Sequence, residues 1–162
     1  MIKVHRNLFI GNGDSCKFYT TTNTAVIHAC KHPCHVNAVG YEGNLSQGHP
    51  YYLTYEKGKH LFLNMVDMER EFHPKFTHPM MVASIRFIKK HIVGDSVLIH
   101  CNQGLSRSPS IALVYLAIIK EINSQSFQQA SQGFKEKYPD YLPGKGISAY
   151  LAKNWIFLMS IE

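Results

Sequence analysis

The chain has 162 residues, 45% of them apolar and 17% charged, a balance that builds one sizeable core and excludes a disordered chain. Lys and Arg exceed Asp and Glu, leaving a formal charge of +6, but no basic run is longer than Lys89-Lys90; no basic stripe interleaved with aromatics supports nucleic-acid binding, and a mild preference for anions remains. No apolar run approaches the roughly 18 residues needed to span a membrane, and MIKVHRNLFIGNG lacks the apolar stretch and cleavage site of a signal peptide.

A cytoplasmic protein is therefore expected, with Cys16, Cys30, Cys34 and Cys101 reduced rather than paired in structural disulfides. In chain order, VHRNLFIGNG reads as a short strand closed by Gly11 and Gly13, and Asp14 or Ser15 can cap a short helix before TTTNT. TAVIHA (24–29), HLFLNM (60–65) and SVLIH (96–100) are β-type apolar runs of the kind found in interior strands covered on both faces. Residues 31–59, rich in His, Gly, Tyr and Asn, read as a long loop or insertion.

Pro79 to His91 carries Met81, Ile85 and Ile88 at helical spacing and is stopped by Gly94. Ser108 to Lys120 is apolar nearly all round, as a central buried helix should be, and Pro109 fits its first turn. Ser126 and Gln129 form a capping box for a helix ending at Pro139, and a last helix follows Gly146 through AYLAKNWIFLM. The alternation predicts an α/β fold: residues 1–162 as one domain, with a central, mostly parallel sheet of about four to five strands flanked by helices.

The stretch LIHCNQGLSRSPS (98–110) concentrates the chemistry. Cys101 ends a strand, Gly104 allows a tight turn, and Arg107 opens the buried helix. A helix start presents backbone N–H groups without intrahelical partners and the positive end of the dipole, so it favours an anion. A thiolate is the nucleophilic form of cysteine. The same N–H groups can bind phosphoryl oxygens, and an arginine can take two of them at once. Phosphoryl transfer needs chiefly such positioning and charge stabilisation.

His100-Cys101-Asn102-Gln103-Gly104-Leu105-Ser106-Arg107-Ser108 resembles the His-Cys-x5-Arg-Ser/Thr signature of cysteine-dependent protein phosphatases. The Gly-x-Ser-Arg-Ser ending and the compact length look like the dual-specificity branch, and YPDYLPGKGISAYLAKNW (138–155) looks more like its bacterial or phage members. The resemblance implies that Cys101 is the nucleophile, passing through a phosphocysteine. It implies that Arg107 and the N–H groups of Asn102, Gln103, Gly104, Leu105 and Ser106 bind the phosphate. Ser108 would hydrogen-bond Cys101 and help it leave, and His100 would hold the loop in a supporting role. No metal or cofactor is called for.

The family also takes a general acid from an upstream aspartate loop. Asp67 in LNMVDMEREF, 34 positions before Cys101, fits; Glu69 and Glu71 are rivals, and an acid that is no carboxylate stays open. The loop interior has no Lys or Arg to hold additional phosphates, which points to singly phosphorylated tyrosine, serine or threonine on a protein. The alternatives are a catalytically weak phospho-binding adaptor and a phosphatase acting on RNA or another non-protein phosphate. A second patch, His28-Ala-Cys30-Lys-His32-Pro-Cys34-His35, has three readings: hydrogen-bonded histidines beside buried thiols, a metal site, or a redox partner for Cys101.

Overall fold

Three apolar runs of the sequence meet at the centre of a six-stranded sheet in the computed structural model, which describes residues 1–17 and 23–162. The strands are β1 (Ile2–His5), β2 (Leu8–Gly11), β3 (Thr24–His28), β4 (Thr54–Lys57), β5 (His60–Leu63) and β6 (Ser96–His100). Their order across the sheet is β1-β2-β6-β3-β5-β4. The four inner strands are parallel, and β1 and β4 close the two edges as antiparallel partners of β2 and β5. The parallel centre is the one the apolar runs predict. The edge strands β1 and β4 take the sheet beyond four to five strands: VHRNLFIGNG is a hairpin rather than one strand, and β4 emerges from the end of the expected loop.

Burial depends on the position in the sheet. Every residue of β3 is buried, and so is all of β6 after Ser96. The β5 strand instead alternates, with Leu61 and Leu63 buried and His60 and Phe62 half-buried. Its continuous apolar run predicts cover on both faces; lying next to the edge hairpin, it has only one face against the core.

The helices are α1 (Gly13–Lys17), α2 (Val36–Val39), α3 (Pro74–His91), α4 (Arg107–Ile118), α5 (Phe127–Lys137), α6 (Lys145–Lys153) and α7 (Trp155–Met159), with a π-helical turn at Lys31–His35. The cap of α1 is Asn12, not Asp14 or Ser15: its Oδ1 accepts the N–H groups of both, at 3.0 and 3.2 Å. Of the TTTNT stretch, residues 20–22 lie outside the described residues. The helix expected from Pro79 starts a full turn earlier, at Pro74, and runs through Pro79. An interior proline removes one backbone bond; here Pro74 at the start, the Lys75 N–H on His73 Nδ1 (3.0 Å) and the Thr77 hydroxyl on the His73 carbonyl (3.0 Å) hold the first turn. Met81, Ile85 and Ile88 are fully buried, as their spacing requires.

In α4 every residue from Arg107 to Ala117 is buried, so this helix is the hub against which the sheet, α3, α5 and α7 pack. Each large apolar side chain so buried contributes about 1.5–3 kcal/mol. Ser126 caps α5, its Oγ accepting the Gln129 N–H at 3.2 Å. The last helix is broken: the Asn154 Nδ2 donates to the Tyr150 carbonyl (2.9 Å) in competition with the backbone, and the chain restarts at Trp155. In the segment read as a loop, His35 is fully buried and ties the π-turn to later residues, its Nε2 donating to the Tyr51 carbonyl (2.9 Å) and its Nδ1 accepting the Tyr41 hydroxyl (2.8 Å).

Candidate active site

The β6 strand brings His100 and Cys101 to the C-terminal edge of the sheet, and the chain turns into α4 within six residues. Gly104 makes the turn possible. Its φ is +75°, and a Cβ there would sit 3.0 Å from the Gly11 carbonyl oxygen, so both conformation and space demand glycine. The Tyr138 hydroxyl donates to the Gly104 carbonyl at 2.7 Å and fixes the turn from the other side.

Cys101 is 2% exposed, and two donors converge on its sulfur: the Gly104 N–H at 3.3 Å and the Ser108 hydroxyl at 3.2 Å. The hydroxyl is also 3.4 Å from the Gly11 carbonyl, but it has a single proton to give. That distance is long for an O–H···O bond, whereas 3.2 Å is short for a bond to sulfur, so the proton belongs on the sulfur.

Arg107 is 9% exposed and held by two bonds: Nη1 donates to the Met65 carbonyl (2.9 Å) and Nη2 to Asn102 Oδ1 (2.8 Å). Its Nε is buried with no hydrogen-bond partner among the described residues, and Asp67 Oδ2 lies 4.0 Å away. A buried donor of this kind costs stability until an acceptor reaches it. The Asn102 amide also donates to the His32 carbonyl (3.0 Å), so Asn102 braces the guanidinium with its side chain, a role that its place in the motif does not announce.

The loop after β5 separates the three carboxylates. Asp67 faces Arg107, whereas Glu69 pairs with Lys145 at 3.7 Å and Glu71 with Lys153 at 3.4 Å, both on α6. The segment leading to α6 then clasps both loops. Leu142 N–H donates to the Leu105 carbonyl (2.9 Å), Gly144 N–H to Ser106 Oγ (2.9 Å), and Gly146 N–H to the Met68 carbonyl (3.1 Å). A Cβ on Gly144 would lie 2.8 Å from Asp67 Oδ1. Pro143 and Gly144 announce a turn in the sequence, but nothing in the sequence says which loop that turn will touch. A cleft of about 720 Å³ lies beside the Asp67 loop, with Lys31, Tyr52, Met68, Arg70 and Phe76 in its walls.

His100 does not reach into the signature loop. Its Nε2 lies 2.7 Å from Nδ1 of His28 and 3.9 Å from the Cys34 sulfur, and its Nδ1 is buried without a partner among the described residues. Of the second patch, the structure gathers only His28 and Cys34, and adds Cys16 and His100. Cys30 is buried against Cys34 but is not one of these four, His32 is exposed, and His35 serves Tyr41 and Tyr51. All four cysteines are free thiols. Contacts with Cys34, His100 and His28 hold the Cys16 thiol far below the ordinary range, while Cys16 and Cys30 push the Cys34 thiol up.

The matching family model is that of the dual specificity phosphatase, catalytic domain, and it covers residues 19–153. The chain belongs to this family. No curated protein matches it, but solved structures of similar fold do. DUSP15 superposes with a TM-score of 0.67 at 19% identity, over 99% of this chain and 90% of that one. The Yvh1 phosphatase domain from Chaetomium thermophilum gives 0.64 at 18%, over 99% and 97%. The human tyrosine phosphatase-like serine/threonine/tyrosine-interacting protein gives 0.61 at 19%, over 98% and 97%.

The dual specificity phosphatase domain is thus a cysteine-dependent phosphatase acting on phosphorylated substrates, and its α/β fold is the one these structures share. No helix among the described residues is long and apolar enough to cross a membrane.

Proposed function

We propose that this phosphatase removes phosphate from singly phosphorylated protein side chains, with Cys101 as nucleophile, Arg107 and the N–H groups of Asn102 to Ser106 as the phosphate cradle, and Asp67 as acid and then base. The observation that carries the reading is the Cys101 sulfur, buried at the start of α4 with the Gly104 N–H and the Ser108 hydroxyl both donating to it. A sulfur that accepts twice is set up to react as thiolate.

In the first step the thiolate attacks phosphorus, an S–P bond forms and the ester P–O bond breaks. The leaving oxygen takes a proton from Asp67. Negative charge on the transferring phosphoryl oxygens falls on the cradle and on the unpartnered Arg107 Nε. In the second step Asp67 accepts a proton from water, water oxygen bonds to phosphorus, and the S–P bond breaks. The Ser108 hydroxyl stabilises the departing thiolate through its 3.2 Å bond.

The choice of substrate rests on charge: Asn102-Gln103-Gly104-Leu105-Ser106 offers no cation for a second phosphate. The test is hydrolysis of p-nitrophenyl phosphate and of phosphotyrosine and phosphothreonine peptides by wild type and Cys101→Ser. Wild-type turnover on all three, absent in the variant, is expected. Turnover surviving in Cys101→Ser would remove Cys101 from the reaction, and peptides left intact beside a hydrolysed polyphosphorylated inositol would overturn the substrate class.

A further inference from the structure

Three adjacent parallel strands, β2, β6 and β3, end side by side, with Gly11, His100 and His28 in register across them. His100 and His28 close their own strands, α1 after β2 carries Cys16, and the π-turn after β3 carries Cys34. One ligand atom from each of Cys16, His28, Cys34 and His100 lies within 4.8 Å of the other three. We propose that these four residues form a zinc site of the Cys2His2 type, structural rather than catalytic, behind the phosphate-binding loop.

The distances suit the ion. Zinc bonds of about 2.0–2.1 Å to nitrogen and about 2.3 Å to sulfur at tetrahedral angles put N and S ligands about 3.6 Å apart and two nitrogens about 3.3 Å apart. Cys16 Sγ is 3.5 Å from His28 Nδ1, and Cys34 Sγ is 3.9 Å from His100 Nε2. The two nitrogens, at 2.7 Å, need only part by about half an ångström.

The chemistry suits it as well. Two thiolates and two imidazoles are the borderline-soft donors that select zinc over magnesium or calcium. With both cysteines bound as thiolates, the charges of the ion and the two sulfurs cancel, so a neutral centre is left where His28 is 4% and His100 1% exposed. The outward nitrogen of His28, Nε2, lies 3.0 Å from His60 Nδ1, the kind of second contact that fixes the ring of a metal-bound histidine. Four protein ligands leave no position for substrate, which is the mark of a structural site. The ion would tie α1, β3, the π-turn and β6 together directly before Cys101.

Zinc binding here does not depend on phosphatase turnover, and neither does its test. The full chain, expressed with zinc in the medium and purified without chelator, is analysed for metal by plasma mass spectrometry. About one zinc per chain is expected, with Cys30→Ser and Cys101→Ser retaining it and Cys16→Ser and Cys34→Ser losing it. Because the last two variants can fail to fold, the wild-type chain is also loaded with cobalt(II), where thiolate-to-metal charge transfer and intense tetrahedral ligand-field bands are expected. A wild-type chain that takes up neither metal, a Cys16–Cys34 disulfide in freshly purified protein, or zinc lost in Cys101→Ser but kept in Cys16→Ser would each overturn the proposal.

Discussion

Asp67 and Glu69 are two residues apart and carry the same functional group, yet their surroundings give them different chemistry. Asp67 reaches to 4.0 Å of the Arg107 Nε, at the mouth of the cysteine loop, while Glu69 is 85% exposed and faces Lys145. An ion pair that open contributes little. Asp67→Asn is therefore expected to lower kcat on phosphotyrosine and phosphothreonine peptides by about 10²- to 10⁴-fold, the usual span for a lost general acid. The loss should be smaller with p-nitrophenyl phosphate, whose leaving group needs less protonation. Glu69→Gln should turn over like wild type; steady-state kinetics with both substrates decides, and an equal loss in the two variants would reject Asp67 as the acid.

At the scale of elements, the position of Asp67 is not set by its own loop but by the entry to α6. Gly146 accepts from the Phe72 N–H (3.2 Å) and donates to the Met68 carbonyl (3.1 Å), bracketing the carboxylate loop from both ends. Any Cβ at this position would collide with the Met68 and Arg70 carbonyls, backbone atoms that cannot swing aside. Gly146→Ala must displace the Asp67 loop or the start of α6. The expected outcome is a loss of about 1–3 kcal/mol in stability, the ordinary cost of overpacking, together with a fall in kcat that p-nitrophenyl phosphate again reports less strongly than a peptide does. Urea unfolding read beside the kinetics checks both; unchanged stability and kcat would show that the contact is not the constraint the geometry makes it. The cysteine loop depends on the same segment through Leu142 and Gly144, so the two halves of the site share one brace.

For the whole molecule, the relation of stability to pH is set in part by histidines that fold into apolar surroundings. His78 on α3 lies flat on Phe157 of α7, with ring centres 3.7 Å apart, and its Nδ1 accepts the Tyr150 hydroxyl at 2.7 Å. Burial pushes its pKa below the ordinary histidine value. The unfolded chain therefore takes up this proton at a higher pH than the folded one, and stability falls as the pH drops through and below about 6.5. Above that range both states are neutral and the contribution is constant. The urea midpoint should be lower at pH 5 than at pH 7, and His78→Gln, which can still pair with Tyr150, should reduce that drop. The same drop in wild type and variant would exclude His78 as a source of the acid sensitivity.

Short-range features of the molecule were already determined by the order of the residues. Met81, Ile85 and Ile88 mark the buried face of α3 because side chains that many positions apart share a helical face. Ser126 and Gln129 mark a helix start because the capping bond spans only that interval. The loop proposed as the phosphate cradle is local in the same way: Cys101, Gly104, Arg107 and Ser108 belong to one turn of chain, and consecutive N–H groups at a helix start need no distant partner to favour an anion. Even here only the local rule is legible. Pro79 promises a helix start, and it is Pro74 at the first turn, with His73 capping it, that starts α3 ahead of that point.

What the tertiary structure alone decided is proximity between segments far apart in the chain. The order β2-β6-β3 sets Cys16, His100, His28 and Cys34 around one point, although the local pattern of residues 28–35 suggests quite different company for His28 and Cys34. The same packing brings Asp67 rather than Glu69 to Arg107, gives the Met65 carbonyl to Arg107 and lays Gly146 on the carboxylate loop. No periodicity encodes these meetings. Sequence patterns record how a residue relates to neighbours within a turn or a strand, whereas strand order and helix docking result from burying all the apolar faces at once.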